Sequence, residues 1–228
     1  MTTLLALDTA TEACSVALLH NGERYSDYAV IPRQHAQQLL PMIQALLAQA
    51  GVPMSAVDAL AFGRGPGAFT GVRIATGMVQ GLALALDRPV LAVSNLALLA
   101  QRAWREHSAR EVAAAIDARM DEVYWGCYRL DEHSVMQLQG LEAVLPPEQV
   151  SLPREMLAEH CFGAGTGWAY AERLAVKPAQ CDASLLPHAE DLLSLGLAAW
   201  QRGEAVGAAD AQPVYLRDKV ATPKNAPV

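Results

Sequence analysis

The sequence predicts an order of secondary-structure elements that is repeated along the chain, and this repetition constrains the fold more than any other feature. In the first half we predict strands at residues 3–7, 13–19 and 24–30, then a helix at 32–50, a strand at 59–62 and a helix at 71–86. A strand at 90–93 and a helix from residue 95 onward complete this half. The second half predicts strands at 111–117 and 122–129, weaker strand signal at 135–144, a helix at 154–160, a strand at 161–162 and helices at 168–174 and 189–202. Strands that alternate with helices are typical of an α/β fold.

Two local matches support an internal duplication. Asp8 ends the first strand of one half, and Asp117 ends the first strand of the other. Glycine-rich turns also correspond between the halves, with Gly63, Gly65 and Gly67 in the first and Gly163, Gly165 and Gly167 in the second. We therefore predict an N-terminal lobe at residues 1–105 and a smaller C-terminal lobe at 106–228.

A carboxylate at a strand end can hold Mg²⁺ through water, and a glycine-rich turn exposes backbone N–H groups to phosphate. The candidate remnants of a nucleotide cleft are Asp8, Gly65, Gly67, Asp117, Gly165 and Gly167. The alternative is that the aspartates cap turns and the glycines supply special backbone angles. The sequence contains no P-loop motif. Both interpretations of the six residues remain open from the sequence.

The sequence offers little for metal or nucleophilic chemistry. Its six histidines never fall three or four residues apart, and its four cysteines form no CxxC pair. Helical zinc motifs and zinc knuckles are therefore missing. Ser15 and Cys14 have no base beside them in the sequence. We expect His35, near a helix start, to be a surface or interface residue rather than a ligand.

The helix predicted at 71–86 carries small residues at a spacing of four. Gly77, Gly81 and Ala85 share one face of that helix. A glycine in a helix interior costs roughly 1 kcal/mol relative to alanine. Close approach of another helix would offset this cost. The neighbour is either the helix at 32–50 of the same chain or a helix of another subunit, and the sequence leaves both open.

The overall charge argues against a chain that binds a nucleic-acid backbone by itself. The formal net charge is −7, and the 228 residues include only three lysines. Such binding depends on clustered lysine and arginine. The N-terminus lacks the basic flank of a signal peptide, and no apolar run approaches the roughly 20 residues that cross a bilayer. We therefore expect a cytoplasmic protein.

Several segments resemble one known family. LALDTATEACSVAL, RQHAQQLLPMI, GRGPGAFTGVRIATGMVQGLAL, IDARMDEVYW and QPVYLR together resemble the TsaB (YeaZ) family along nearly the whole chain. This resemblance implies the actin-like/sugar-kinase ATPase (ASKHA) fold, built from duplicated ribonuclease-H-like lobes. It also implies paralogy with TsaD, which transfers the threonylcarbamoyl group to the tRNA adenosine beside the anticodon.

TsaD holds a metal through an HxxxH motif, and this chain has Asn95 and Leu99 at the corresponding positions. Leucine cannot ligate a metal, and asparagine is a poor substitute for histidine. The resemblance therefore implies a non-catalytic scaffold without metal or cofactor. The resemblance also implies that TsaD is the partner in a heterodimer and that the ATPase TsaE joins through the TsaB–TsaD complex. We expect a homodimer as the alternative pairing, only indirect contact with tRNA and no contact with a membrane.

The resemblance places the partner interface on the helices holding residues 33–47 and 72–86. The expected interface residues are Arg33, His35, Leu39, Leu40, Ile43, Arg73, Gly77, Gly81 and Ala85. The alternative function is an ATP- and Mg-dependent kinase or hydrolase of the actin-like superfamily, using Asp8 and Asp117. A peptidase has no zinc motif or nucleophile–base pair to support it, and direct tRNA binding is disfavoured by charge.

Overall fold

The computed structural model describes residues 2–217, which form two mixed β-sheets and four α-helices. The first sheet contains β1 (Leu4–Asp8), β2 (Ala13–His20), β3 (Glu23–Val30), β4 (Ala59–Gly63) and β5 (Val90–Val93). The second contains β6 (Glu111–Arg119), β7 (Glu122–Leu130), β8 (Met136–Leu138), β9 (Ala143–Leu145), β10 (Cys161–Ala164) and β11 (Gln180–Asp182). The helices are α1 (His35–Ala50), α2 (Phe69–Leu86), α3 (Asn95–His107) and α4 (Ala189–Gln201).

The two sheets share a common core arrangement. The strand order is β3-β2-β1-β4-β5 in the first sheet and β11-β10-β6-β7-β8 in the second, where β9 also pairs with β7. In each sheet the first strand pairs antiparallel with the next and parallel with a later one, as β1 does with β2 and β4 and β6 does with β7 and β10. The α/β class and the duplication are thus confirmed.

The central strand β1 is buried along its whole length and apolar from Leu4 to Leu7 because it is covered on both faces. Leu5 and Leu7 point into the core beneath α1 and α2. Leu4 and Ala6 point to the opposite face, into the core that contains α3 and α4. The carboxyl end of β1, with Asp8, therefore lies deep between these layers.

The helices between the sheets are contributed crosswise. Helix α3, from the first half of the chain, packs on β6 and β7, whereas α4, from the second half, packs on β1 and β2. Gly196 of α4 permits this contact, because an added Cβ would lie 3.2 Å from Leu4 Cδ2. The predicted lobe boundary at residue 105 falls near the end of α3, and residues 218–228 of the second lobe lie outside the described residues.

The structure corrects two predicted helices in the second half. Residues 154–160 contain only a 3₁₀ turn at Ala158–His160, and residues 168–174 contribute only to the 3₁₀ turn at Thr166–Tyr170. The second turn is held by Trp168, whose Nε1 donates to Ala113 O at 3.0 Å. Both segments are too short to gain stability as isolated α-helices.

Candidate functional site

The glycines of both turns are explained by close contacts within the chain. An added Cβ at Gly67 would lie 2.5 Å from Ala10 O, and one at Gly65 would lie 2.8 Å from Val214 O. Gly65 also has a φ of +100°, which side chains disfavour. In the second half, added Cβ atoms at Gly165 and Gly167 would lie 2.4 and 2.6 Å from atoms of Ala115. Each turn therefore needs glycine in order to pack on its own sheet.

Asp8 is fully buried and belongs to a hydrogen-bonded network. Asn95 Nδ2 donates to Asp8 Oδ2 at 2.5 Å, and Ala10 N donates to Asp8 Oδ1 at 3.2 Å. The Asn95 amide oxygen accepts from Gly65 N at 2.8 Å, and Asn95 N donates to Gly65 O at 3.0 Å. Burial raises the pKa of Asp8 to about 6, and the bonds from Asn95 and Ala10 oppose part of that rise.

Asp117 is half-buried and is paired within its own hairpin. Arg119 contacts the two carboxylate oxygens through its backbone N and its Nη1, each at 2.9 Å. The hydroxyl of Tyr170 lies 3.4 Å from Asp117 Oδ1. An arginine that neutralises a carboxylate in this way weakens its attraction for a cation.

A cleft of about 720 Å³ lies between the two sheets. Of the six predicted cleft residues, only Gly67 and Asp117 line it. Asp8, Gly65, Gly165 and Gly167 are not among its lining residues. The cleft wall includes the aromatic and cationic side chains Phe69, Arg73, Arg119, Tyr124, Tyr215 and Arg217. The sequence did not predict Tyr215 and Arg217 as cleft residues, since nothing in their neighbourhood indicates a contact with distant elements.

Asn95 and Leu99, which the resemblance to TsaD places at the HxxxH positions, do not fit a metal. Both ends of the Asn95 side-chain amide are already used by Asp8 and Gly65. Leu99 is fully buried, and its Cδ1 would lie 2.6 Å from a Cβ at Gly165. Within residues 2–217 no group of three or more His, Cys, Asp and Glu side chains is placed to hold a metal ion.

Three residues expected at a partner interface on α1 are buried in the chain itself. Leu39 and Ile43 are fully buried in the core that also contains Leu5 and Leu7. His35 is 6% exposed, and its Nε2 has no hydrogen-bond partner in the part of the chain that the structure describes. The surface position expected for His35 is therefore wrong. Arg33 and Leu40 are exposed.

Helix α2 presents a continuous exposed stripe at a spacing of four residues. The predicted residues Arg73, Gly77, Gly81 and Ala85 are all exposed. Apart from its chain neighbours and the backbone of its own helix, a Cβ added at Gly77 or Gly81 would meet no atom of residues 2–217 within 4 Å. Bulky apolar side chains lie towards the two ends, with Phe69 50% and Leu84 79% exposed. We call Phe69, Arg73, Gly77, Gly81, Leu84 and Ala85 the α2 stripe.

The empty space beside these glycines rules out the first of the two neighbours that the sequence left open, the helix at 32–50 of the same chain. Helix α1 contacts α2, but it does not reach Gly77 or Gly81. The small residues are therefore not explained by packing inside the described chain. The sequence did not predict Phe69 and Leu84 as part of this surface, although the four-residue spacing from Arg73 would have indicated Phe69.

Helix α2 also departs from the expectation about membrane spans. Its 18 residues have a mean hydropathy of 1.3, so by length and composition it could cross a bilayer. Its other face packs into the core through Val72, Ala75, Val79 and Ala83. The exposed face therefore combines apolar and small side chains with the cation of Arg73.

Comparison with known proteins gives consistent results. Residues 28–224 match the family model described as TsaD, tRNA N6-adenosine threonylcarbamoyltransferase. A relative from Escherichia coli (strain K12) named tRNA threonylcarbamoyladenosine biosynthesis protein TsaB is 45% identical, over 97% of each chain. The solved structure described as YeaZ from Pseudomonas aeruginosa is 69% identical with a TM-score of 0.92, and the match covers 95% of this chain and all of that one.

A second similar structure from Pseudomonas aeruginosa is described as an uncharacterized protein with similarity to peptidase YEAZ. It is 70% identical, with a TM-score of 0.93, and the match covers 95% of this chain and all of that chain. The fold is therefore shared by chains that have been described in two different functional terms.

Proposed function

The chain belongs to the TsaB (YeaZ) family, and from this membership we propose that it is a non-catalytic subunit that binds and activates TsaD. Its role is in the biosynthesis of threonylcarbamoyladenosine on tRNA. The observation that carries the proposal is the α2 stripe, whose glycines lie at the surface with open space beside them.

The chemistry of the stripe suits a helix–helix contact with another subunit. Glycines at positions 77 and 81 let a second helix approach the α2 backbone closely. Phe69 and Leu84 supply exposed apolar area on either side, and Arg73 supplies a cation. Aromatic and arginine side chains are typical of the residues that dominate binding energy. TsaD is the proposed occupant, and a second copy of this chain is the competing one.

The cleft gives no support to the ATP- and Mg-dependent alternative. Asp8 is sealed from solvent by the Asn95 network, and Asp117 is paired with Arg119. Asp8 therefore has no open coordination space, and the charge of Arg119 opposes a cation at Asp117. The proposed subunit therefore acts through its surface.

A peptidase is likewise unsupported by the candidate nucleophiles. Cys14 is buried, and burial raises the pKa of its thiol to about 12, so the reactive thiolate is suppressed. The Ser15 hydroxyl is buried and accepts from Ala189 N at 2.9 Å. It therefore contributes to the start of α4, where no substrate reaches it.

In this proposal the ATPase TsaE joins the TsaB–TsaD pair in the cytoplasm, and tRNA is contacted through TsaD. The test is a reconstituted reaction with TsaD, TsaE, ATP, the threonylcarbamoyl donor and tRNA. We expect modified adenosine only when the chain is present, and none from the chain alone. Product formed equally well without the chain would contradict the activating role.

A further inference from the structure

The segment 211–217, which we call the strap, links α2 to the hairpin β6–β7. It has neither helix nor strand structure. At its start, Gln80 Nε2 of α2 donates to Ala211 O at 3.0 Å. Val214 N then donates to Arg64 O at 2.8 Å, beside the glycine-rich turn. The strap is thus fixed to the first sheet and its helices by hydrogen bonds at two points.

The middle of the strap shares side chains with the α2 stripe. Arg73 Nε donates to the hydroxyl of Tyr215 at 3.0 Å. The Arg73 guanidinium lies 3.6 Å from the centre of the Phe69 ring, and the Tyr215 ring centre is 5.7 Å from that of Phe69. Phe69 and Arg73 therefore belong to the proposed partner surface and to the attachment of the strap.

The end of the strap holds the tip of the hairpin. Arg217 donates from Nη1 to Ala118 O at 3.0 Å and from Nη2 to Arg119 O at 3.3 Å, and it pairs with Glu122. Arg119, Met120 and Asp121 all have positive φ, between 55° and 61°. Such a conformation is unfavourable for residues other than glycine and persists where surrounding contacts enforce it.

We propose that the strap couples the α2 stripe to the hairpin tip and thus to one wall of the cleft. A partner on the stripe takes Arg73 into its own contacts and displaces Tyr215. Charged acceptors form stronger hydrogen bonds with an arginine than a phenol hydroxyl does. Tyr215 is 46% exposed, so little burial retains it once this bond is lost. The loosened strap then weakens the hold of Arg217 on the hairpin.

The first test uses the isolated chain and does not depend on a partner. Hydrogen exchange of the backbone amides at 118–122 should be about tenfold faster in Arg217→Ala and Tyr215→Ala than in the wild type. The control is Arg202→Ala, which removes a surface pair with Glu204 away from the strap. Wild-type exchange at 118–122 in Tyr215→Ala would overturn the coupling, because Tyr215 does not itself contact the hairpin through a hydrogen bond.

The second test rests on the proposed function and uses TsaD as the partner. Binding of TsaD should accelerate exchange at 118–122, and by reciprocity Arg217→Ala should bind TsaD about fivefold more tightly. Unchanged affinity in Arg217→Ala would contradict the coupling while leaving the proposed partner in place. If the wild type does not bind TsaD at all, the proposed function fails, and the exchange results on the isolated chain still decide whether the strap controls the hairpin.

Discussion

Asn95, which the resemblance to TsaD places at the first HxxxH position, has a structural part in this chain. Its amide joins the end of β1, through Asp8, to the turn that follows β4, through Gly65. An amide can donate and accept at once, and a buried carboxylate beside a backbone N–H requires both. The network therefore has a structural role. It leaves no room for a side chain at position 63, because a Cβ added at Gly63 would lie 1.9 Å from Asp8 Oδ2.

We predict that Asn95→Ala lowers the free energy of unfolding by about 1–3 kcal/mol, because it removes a donor from Asp8 and an acceptor from Gly65 N. Urea denaturation at pH 7 measures this loss. The control is Gln201→Ala, an exposed position near the end of α4. Equal stability of Asn95→Ala and the wild type would show that the network contributes nothing.

A second residue-scale prediction concerns pH. His188 caps α4 by accepting from Glu190 N at 3.0 Å, and it is stacked on Tyr28. Burial, with smaller effects of Arg102 and Arg105, lowers the pKa of His188 from 6.5 to about 3. The unfolded chain therefore binds more protons between these values, so the contribution of His188 is complete above pH 6.5 and is lost as the pH falls towards 3.

His188→Asn keeps an acceptor for Glu190 N but removes the titration. We expect the wild type to lose stability relative to this variant as the pH is lowered from 7 to 4, as followed by denaturant midpoints. The titration of other groups affects both proteins equally and therefore cancels in the comparison. One of these groups is Asp8, whose raised pKa increases the stability of the fold as the pH falls over part of this range. Parallel pH profiles for the two proteins would contradict the buried neutral state of His188.

At the scale of elements, α2 carries an unusual pair of exposed interior glycines. In the isolated chain there is open space beside Gly77 and Gly81, so no contact depends on the absence of a side chain there. Each glycine still lowers the stability of the helix, because its backbone loses more conformational entropy on folding than that of alanine. We predict that Gly77→Ala and Gly81→Ala each raise the free energy of unfolding by about 0.5–1 kcal/mol. Thermal unfolding of the isolated chain is the measurement.

Gly196 of α4 provides the matched control. It is also inside a helix, but an added Cβ would lie 3.2 Å from Leu4 Cδ2 and 3.3 Å from Ala61 Cβ. Gly196→Ala should therefore not stabilise the chain. If Gly77→Ala and Gly81→Ala destabilised it instead, these glycines would be needed by the fold itself, and the argument for an external partner would fail.

The elements differ in how far they could be predicted from the sequence. The strands β1, β2, β4 and β5 follow from short apolar runs, and α1 follows from apolar residues at helical spacing, because each of them is buried within or against a sheet. The two wrong helices at 154–160 and 168–174 lie where tertiary contacts such as the Trp168–Ala113 hydrogen bond override local tendency. The strap has no periodicity, so its contacts with Arg64 and the hairpin could not be predicted.

The same limit applies to the site. The sequence predicted that Gly77, Gly81 and Ala85 share one face of their helix, but it did not predict that this face is exposed. Leu39, Ile43 and His35 were placed at an interface because their helix resembles a contact helix. Periodicity alone does not say which face of a helix covers its own sheet. The partner of Asp8 could not be predicted, because Asn95 is 87 residues away.

At the scale of the whole molecule, two sheets enclose helices exchanged between the halves of the chain, and the strap joins the halves again at the surface. This arrangement leaves a cleft in which Asp117 is paired with Arg119 while Asp8 is buried outside the cleft wall, and a helix face without a neighbour among residues 2–217. With a net charge of −7, the chain is better suited to a protein partner than to tRNA itself.

The most direct measurement is calorimetric titration of TsaD with this chain. The account predicts that the wild type binds, that Gly77→Leu/Gly81→Leu lowers the affinity about 100-fold by blocking close approach, and that Gln201→Leu binds as the wild type does. Circular dichroism would establish that both variants are folded. Wild-type affinity in Gly77→Leu/Gly81→Leu would contradict the claim that the α2 stripe is the partner surface.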